Sequence, residues 1–182
     1  MARATSGGAG AGAGAGYELS DSDIRRATHT KVWTYSQLLR KTSLAQLLDA
    51  KGRCVILYET QGPLVGHWVA LLRHPGGIEY FDPYGGIAPD GEARWLSPGK
   101  LAALGENTKA LSALIRASGL PLSVNPCHYQ SKAPGNNECG RHCVSRVHFS
   151  SLSEADYNAM IKRSGLSPDA FVLNVSQKLL GK

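Results

Sequence analysis

Residues 53–82 read RCVILYETQGPLVGHWVALLRHPGGIEYFD, and the fold turns on how many strands this stretch holds. Three runs in it are β-branched, aromatic or apolar: RCVILYE (53–59), HWVALLR (67–73) and GIEYFD (77–82). Gly62–Pro63 separates the first from the second, and Pro75-Gly76-Gly77 makes a tight turn between the second and the third. Proline and glycine punctuate strands because one lacks an N–H and the other adopts turn geometry at no steric cost. The last two runs therefore read as a hairpin, with the first strand beside it.

Working outward, the flanks are helical. LSDSDIRRAT offers Ser20 or Asp21 as an N-cap, and TSLAQLLDAKG offers Ser43 as cap and Gly52 as stop. VWTY is a short extended piece, and LPLSVN (120–125) a fourth short strand. KLAALGENTKALSALIRASG predicts one or two helices ending at Gly119, and ECGRHCVSRVHFSSL a helix that turns Cys143, Val144 and Val147 to a core. SEADYNAMIKRSG and SPDAFVLNVSQKLL predict two more, the second with Ser167 as cap and Pro168 in the first helical position. A small, mostly antiparallel sheet with helices before and after it is an α+β fold.

The chain has 182 residues, 42% of them hydrophobic, which suits one domain and is short for two. Residues 7–16 read GGAGAGAGAG, which can bury little and loses much backbone entropy on ordering, so 1–16 is expected to be a disordered tail and 17–182 the domain. The start, MARATSGG, lacks the apolar stretch of a signal peptide. With four cysteines and no need of staples at this size, free thiols in a reducing, intracellular setting are expected. Apolar runs fall far short of the roughly 20 residues that span a bilayer, so no membrane is expected. The net charge of +6 comes from scattered basic residues, a solvated surface that also permits weak nucleic-acid binding. A monomer is expected.

Chemistry concentrates in three places. His67 opens one hairpin strand and Asp82 ends the other, fifteen positions on. Antiparallel pairing brings those ends together, where the carboxylate could fix the imidazole tautomer and favour its cation. Cys139 follows the loop Gly135-Asn136-Asn137 and enters a predicted helix. A helix N-terminus and a histidine both favour a thiolate. Gly140 would let a substrate backbone approach, and Gln130 could donate its amide to a developing oxyanion beside the Cys139 N–H.

His67-Trp68, Asp82, Gln130 and Cys139-Gly140 stand in the order and approximate spacing of the adenovirus-type maturation proteases. VILYE, GHWVALLR, IEYFDPYG and NECGRH together resemble the version found in virophages and polinton-like viruses, over roughly residues 20–150. The wider clan includes proteases that remove ubiquitin-like modifiers. The resemblance implies a papain-like cysteine endopeptidase that processes capsid precursors. His67 would then be general base, Asp82 its orienter, Gln130 the oxyanion donor and Cys139 the nucleophile, with Trp68 shielding the histidine. It implies a viral protein substrate cut after small, often glycine, residues, and location in the virion and the host-cell cytoplasm or virus factory. No cofactor is required by the sequence; relatives are activated by a viral peptide and by DNA. The Gly/Ala tract at 7–16 would on this likeness be a self-processing site or mimic one. The nine positions from Gln130 to Cys139 are more than is usual in relatives.

Two alternatives stand beside it. The same residues would serve an isopeptidase for ubiquitin or a SUMO-type modifier. A reading of another class is a zinc-binding structural module: Cys127, His128, Cys139, His142 and Cys143 include enough ligands for a tetrahedral ion. No Cys-x-x-Cys pair occurs among them, and zinc would leave His67, Asp82 and Gln130 without a role.

Overall fold

The computed structural model describes residues 17–62, 65–91 and 96–181. The 1–16 tail, its Gly/Ala tract and Pro63 lie outside the described residues.

Five strands form one sheet in the order β1-β2-β3-β4-β5, where β1 is Lys31–Thr34, β2 Arg53–Gly62, β3 Val65–His74, β4 Gly77–Phe81 and β5 Leu122–Val124. The β2–β3–β4 centre is antiparallel, as the 53–82 stretch predicts. The flanks differ from expectation: β1 joins β2 in parallel and β4 joins β5 in parallel, so the sheet is mixed rather than mostly antiparallel. The reason lies in the connections. Short helices α2 (Tyr35–Leu38) and α3 (Leu44–Leu47) lie between β1 and β2, and α4 (Pro98–Leu104) and α5 (Ala110–Ala117) between β4 and β5. Crossovers of this kind return a strand in the same direction. Helix α3 is one turn, not the longer helix expected up to Gly52; the left-handed Gly52 instead turns the chain into β2.

The sheet is covered on both faces. On one side Val55, Leu57, Trp68, Ala70, Leu72 and Phe81 meet α1 (Asp21–Thr28), α6 (Cys139–His148) and α7 (Glu154–Arg163), with α8 (Pro168–Leu180) partly buried against them. On the other, Cys54, Ile56, Val69, Leu71, Ile78 and Tyr80 meet α2, α3 and α5. Successive strand residues point to opposite faces, so apolar residues at every position of Cys54–Tyr58 and Trp68–Leu72 require two cores.

The caps follow the sequence. Ser20 and Asp23 form a capping box on α1. Ser167 accepts from Ala170 N above Pro168 to start α8. Helix α6 is buried along nearly its whole length, and its Arg146 reaches β4. There the guanidinium donates through Nε and Nη2 to the two carboxylate oxygens of Glu79, at 2.8 and 2.7 Å. His74 Nε2 lies 3.0 Å from Glu79 Oε2, so this histidine at the turn is tied down rather than free in solvent. Arg146 also donates to the Phe149 and Leu152 carbonyls. A buried charge is tolerated only when so fully paired, and this one clamps α6 to the sheet. No described helix is long and apolar enough to cross a membrane.

Candidate functional site

Cys139 is the first residue of α6, preceded by Glu138 as N-cap. The helix is held in place by Arg141, whose Nε lies 2.7 Å from Glu138 Oε2 and whose Nη2 donates to the Tyr17 carbonyl. Nη1 of the same side chain reaches Ser176 on α8. The nucleophile candidate therefore stands on a rigid element.

His67 and Asp82 come together as the hairpin predicts. Their register follows from β3–β4 pairing, in which Ala70 faces Phe81. Asp82 follows directly after the last paired residue of β4, which brings it to the end of the hairpin where β3 carries His67. His67 Nε2 lies 2.8 Å from Asp82 Oδ1, with both side chains buried. Cys139 acts on the same imidazole as a hydrogen-bond and charge partner. Burial alone would pull the His67 pKa down, but the bonds and charges of Asp82 and Cys139 outweigh it and push it up to about 10. The ring is held as a cation between an acid and a thiol.

Asp82 has its own supports, which sequence reasoning missed. Its Oδ1 also accepts from Tyr84 N at 2.8 Å. Buried Asn125, just past β5, bonds both backbone groups of Asp82, accepting from its N–H and donating to its C=O, each at 2.8 Å. Asn125 also donates to the Cys127 carbonyl at 3.1 Å. Its position directly after a short strand carries no signal that sets it apart from a turn asparagine.

One assignment is corrected, that of Gly140. Trp68 is buried in the core against Gly140, where a Cβ would sit 3.2 Å from both Trp68 Cδ1 and Leu19 Cβ. The ring stacked on His67 is Tyr84, with centroids 4.8 Å apart and planes 14° from parallel. Gly140 accordingly serves helix packing rather than substrate approach.

Gln130 reaches the same cleft and is buried. Its Nε2 donates to both the backbone and side-chain oxygens of Asn136, each at 3.2 Å, rather than pointing freely at the thiol. Asn136 in turn donates through Nδ2 to Asp169 Oδ2 at 2.9 Å. The other Asp169 oxygen lies 2.8 Å from His142 Nε2. His142 is fully buried, not solvent-facing. Burial lowers its pKa against the pull of Asp169, so it is neutral and gives its Nε2 proton to that carboxylate.

His67, Tyr84, Gln130 and Cys139 line one cleft of about 910 Å³, with Gly66, Gly85, Gly86 and Asn136 among its walls. Gly85 is left-handed, and a Cβ there would lie 2.3 Å from the Cys127 carbonyl oxygen, so only glycine fits. The other cysteines stand apart: Cys54 and Cys143 are buried in the two cores, and Cys127 accepts from Asn158 Nδ2. The zinc set is not assembled. Among the described residues no three His, Cys, Asp or Glu side chains group to hold a metal, and His142 is turned to Asp169.

No protein-family profile matches the chain. A solved structure, the central domain of an uncharacterized Lpg1148 protein from Legionella pneumophila, aligns with 91% of this chain and 99% of that one. Its identity is 16% and its TM-score 0.40, too low to assign a fold. The uncharacterized protein V9 of Sputnik virophage is 30% identical over 132 residues, covering 71% of this chain and 74% of that protein. On that identity and coverage, the chain belongs to the family of the Sputnik virophage protein V9.

Proposed function

We propose that this protein is a cysteine endopeptidase of papain-like type, resembling the adenovirus-type maturation proteases, that processes capsid precursors of a virus related to virophages. The observation that carries the reading is the buried His67, bonded at 2.8 Å to Asp82 and sharing a cleft with Cys139 at a helix N-terminus, which acts on the same ring. A structural histidine needs one partner; an imidazole held between a carboxylate and a thiol is the arrangement that nucleophilic catalysis requires.

In this mechanism the Cys139 sulfur attacks the scissile carbonyl carbon while the imidazolium of His67 stands ready to protonate the leaving amine. The amine departs with that proton and leaves a thioester. Neutral His67 then takes a proton from water, whose oxygen attacks the thioester and releases the acid and the thiol. Asp82 accepts the Nε2–H hydrogen bond throughout and orients the ring. Backbone N–H at Cys139 faces the oxyanion. Gln130 joins it when one amide hydrogen leaves Asn136 Oδ1, which still has the Glu138 N–H at 3.1 Å. Both Gln130 bonds sit at the long end of the normal range, which makes that exchange inexpensive.

The substrate is a viral structural protein cut after small residues, in the virion and the infected cell. The test is incubation of the purified chain with the capsid protein encoded beside it, and with ubiquitin-like conjugates, read by mass spectrometry of fragments. Capsid fragments that vanish with Cys139→Ala are expected. Cleavage that survives Cys139→Ala ends the assignment.

A further inference from the structure

We propose that Asp169, at the start of the C-terminal helix α8, is a positioning residue of the oxyanion site. The inference rests on the protease reading and extends it to a residue 39 positions beyond Gln130.

Asp169 occupies the second position of α8, after Ser167 and Pro168, where the helix dipole favours an anion. Its two oxygens are used in different directions. Oδ1 meets His142 Nε2 at 2.8 Å, and His142 lies on α6 less than one turn beyond Cys139. Oδ2 accepts from Asn136 Nδ2 at 2.9 Å and from Ser131 N at 3.2 Å. Ser131 follows Gln130, and Asn136 is the residue that holds the Gln130 amide. One carboxylate therefore grips both ends of the loop that carries the oxyanion donor and fastens them to the helix that carries the nucleophile.

The physical need for such a grip is plain in the loop itself. Residues 131–138 form no helix or strand, and Lys132, Ala133, Pro134 and Gly135 are exposed. A donor amide on such a segment is useful only if held within a fraction of an ångström of where charge develops. The nine positions from Gln130 to Cys139, with no helix or strand between them, leave the loop in need of an external anchor. Burial pushes the Asp169 carboxyl up, but the hydrogen bonds from His142, Ser131 and Asn136 win and hold its pKa low, so a charged carboxylate accepts all three bonds at neutral pH.

Asp169 does not touch His67 or take part in the 2.8 Å contact with Asp82, so the thiol–imidazole pair is separable from it. Alkylation of a thiolate needs no oxyanion stabilisation, whereas peptide hydrolysis does. The test compares the full chain with Asp169→Ala and Asp169→Asn in three measurements: kcat and KM on a cleaved capsid peptide, the rate at which iodoacetamide modifies Cys139, and amide hydrogen exchange of residues 131–138. Asp169→Ala is expected to lower kcat by about 10- to 100-fold, in the range of a lost oxyanion donor or its support. KM and the alkylation rate stay within about twofold, and the loop exchanges faster while α6 does not. Asp169→Asn, which keeps one acceptor oxygen, falls between.

Unchanged kcat, or unchanged exchange at 131–138, overturns the proposal. Alkylation and hydrolysis falling together also overturns it, because Asp169 would then be supporting the fold of the whole site. A wild-type chain that alkylates selectively at Cys139 yet cleaves no peptide sinks the protease reading instead. The exchange measurement still decides whether Asp169 holds the loop.

Discussion

His67 Nε2 stands 2.8 Å from Asp82 Oδ1, and neither side chain is open to water. That contact, joined to the influence of Cys139 on the same ring, sets the acid–base behaviour of the cleft. The folded-state pKa of His67 is raised from 6.5 to about 10. The charge therefore contributes fully to stability below about pH 6.5, and that contribution disappears as pH rises through about 10. Peptide cleavage, which needs the imidazolium to protonate the leaving amine, should persist into alkaline solution and fail near pH 10. Asp82→Asn should move that limb to lower pH, which a pH–rate profile reads directly. A limb that does not move would separate Asp82 from the imidazole.

Asn125 is the first residue outside the expected four whose loss should be felt. Replacing it by alanine strips partners from the buried N–H and C=O of Asp82. Each unsatisfied buried backbone group costs about 1–3 kcal/mol. Asn125→Ala should lose roughly 2–5 kcal/mol in urea unfolding and lower kcat more than it raises KM, because Asp82 drifts from His67.

Arg146 should be the most damaging single truncation away from the cleft. Its guanidinium is wholly buried and bonded twice to Glu79. Arg146→Ala leaves that buried carboxylate with His74 as its remaining partner under α6, a loss of about 3–5 kcal/mol. Arg146→Met with Glu79→Leu should recover much of it, since an apolar pair of similar volume removes the stranded charge. Chemical denaturation of the three variants checks the order.

Glu106 carries a pH dependence of the opposite kind to an ordinary carboxylate. Burial, with the nearby Glu59 charge, raises its pKa from 4.5 to about 7, against the Glu59 N–H bond of 2.6 Å that favours its ionised form. The folded state thus binds this proton more tightly than the unfolded chain does. Its contribution is full below about pH 4.5 and is lost as pH climbs through about 7. Glu106→Gln keeps an acceptor for Glu59 N but cannot ionise. Its melting temperature should overtake that of the wild type between pH 5 and pH 8.5.

The amino-acid sequence was enough to place the three central strands, the helix that begins at Cys139 and the cap at Ser167, to narrow the first cap to Ser20 or Asp21, and to bring His67 and Asp82 together. These are legible because hydrophobic period, turn chemistry and capping act over a few residues, and because His67 and Asp82 belong to one hairpin whose register a short turn fixes. Tertiary structure alone decided that β1 and β5 run parallel to their neighbours. It alone stacked Tyr84 on the imidazole, set Gly140 against the core, and tied Gln130 through Asn136 to Asp169. Those outcomes depend on which distant surfaces pack together, and a side chain's partner across 39 positions is chosen by the burial of whole helices, for which no local pattern is a signal.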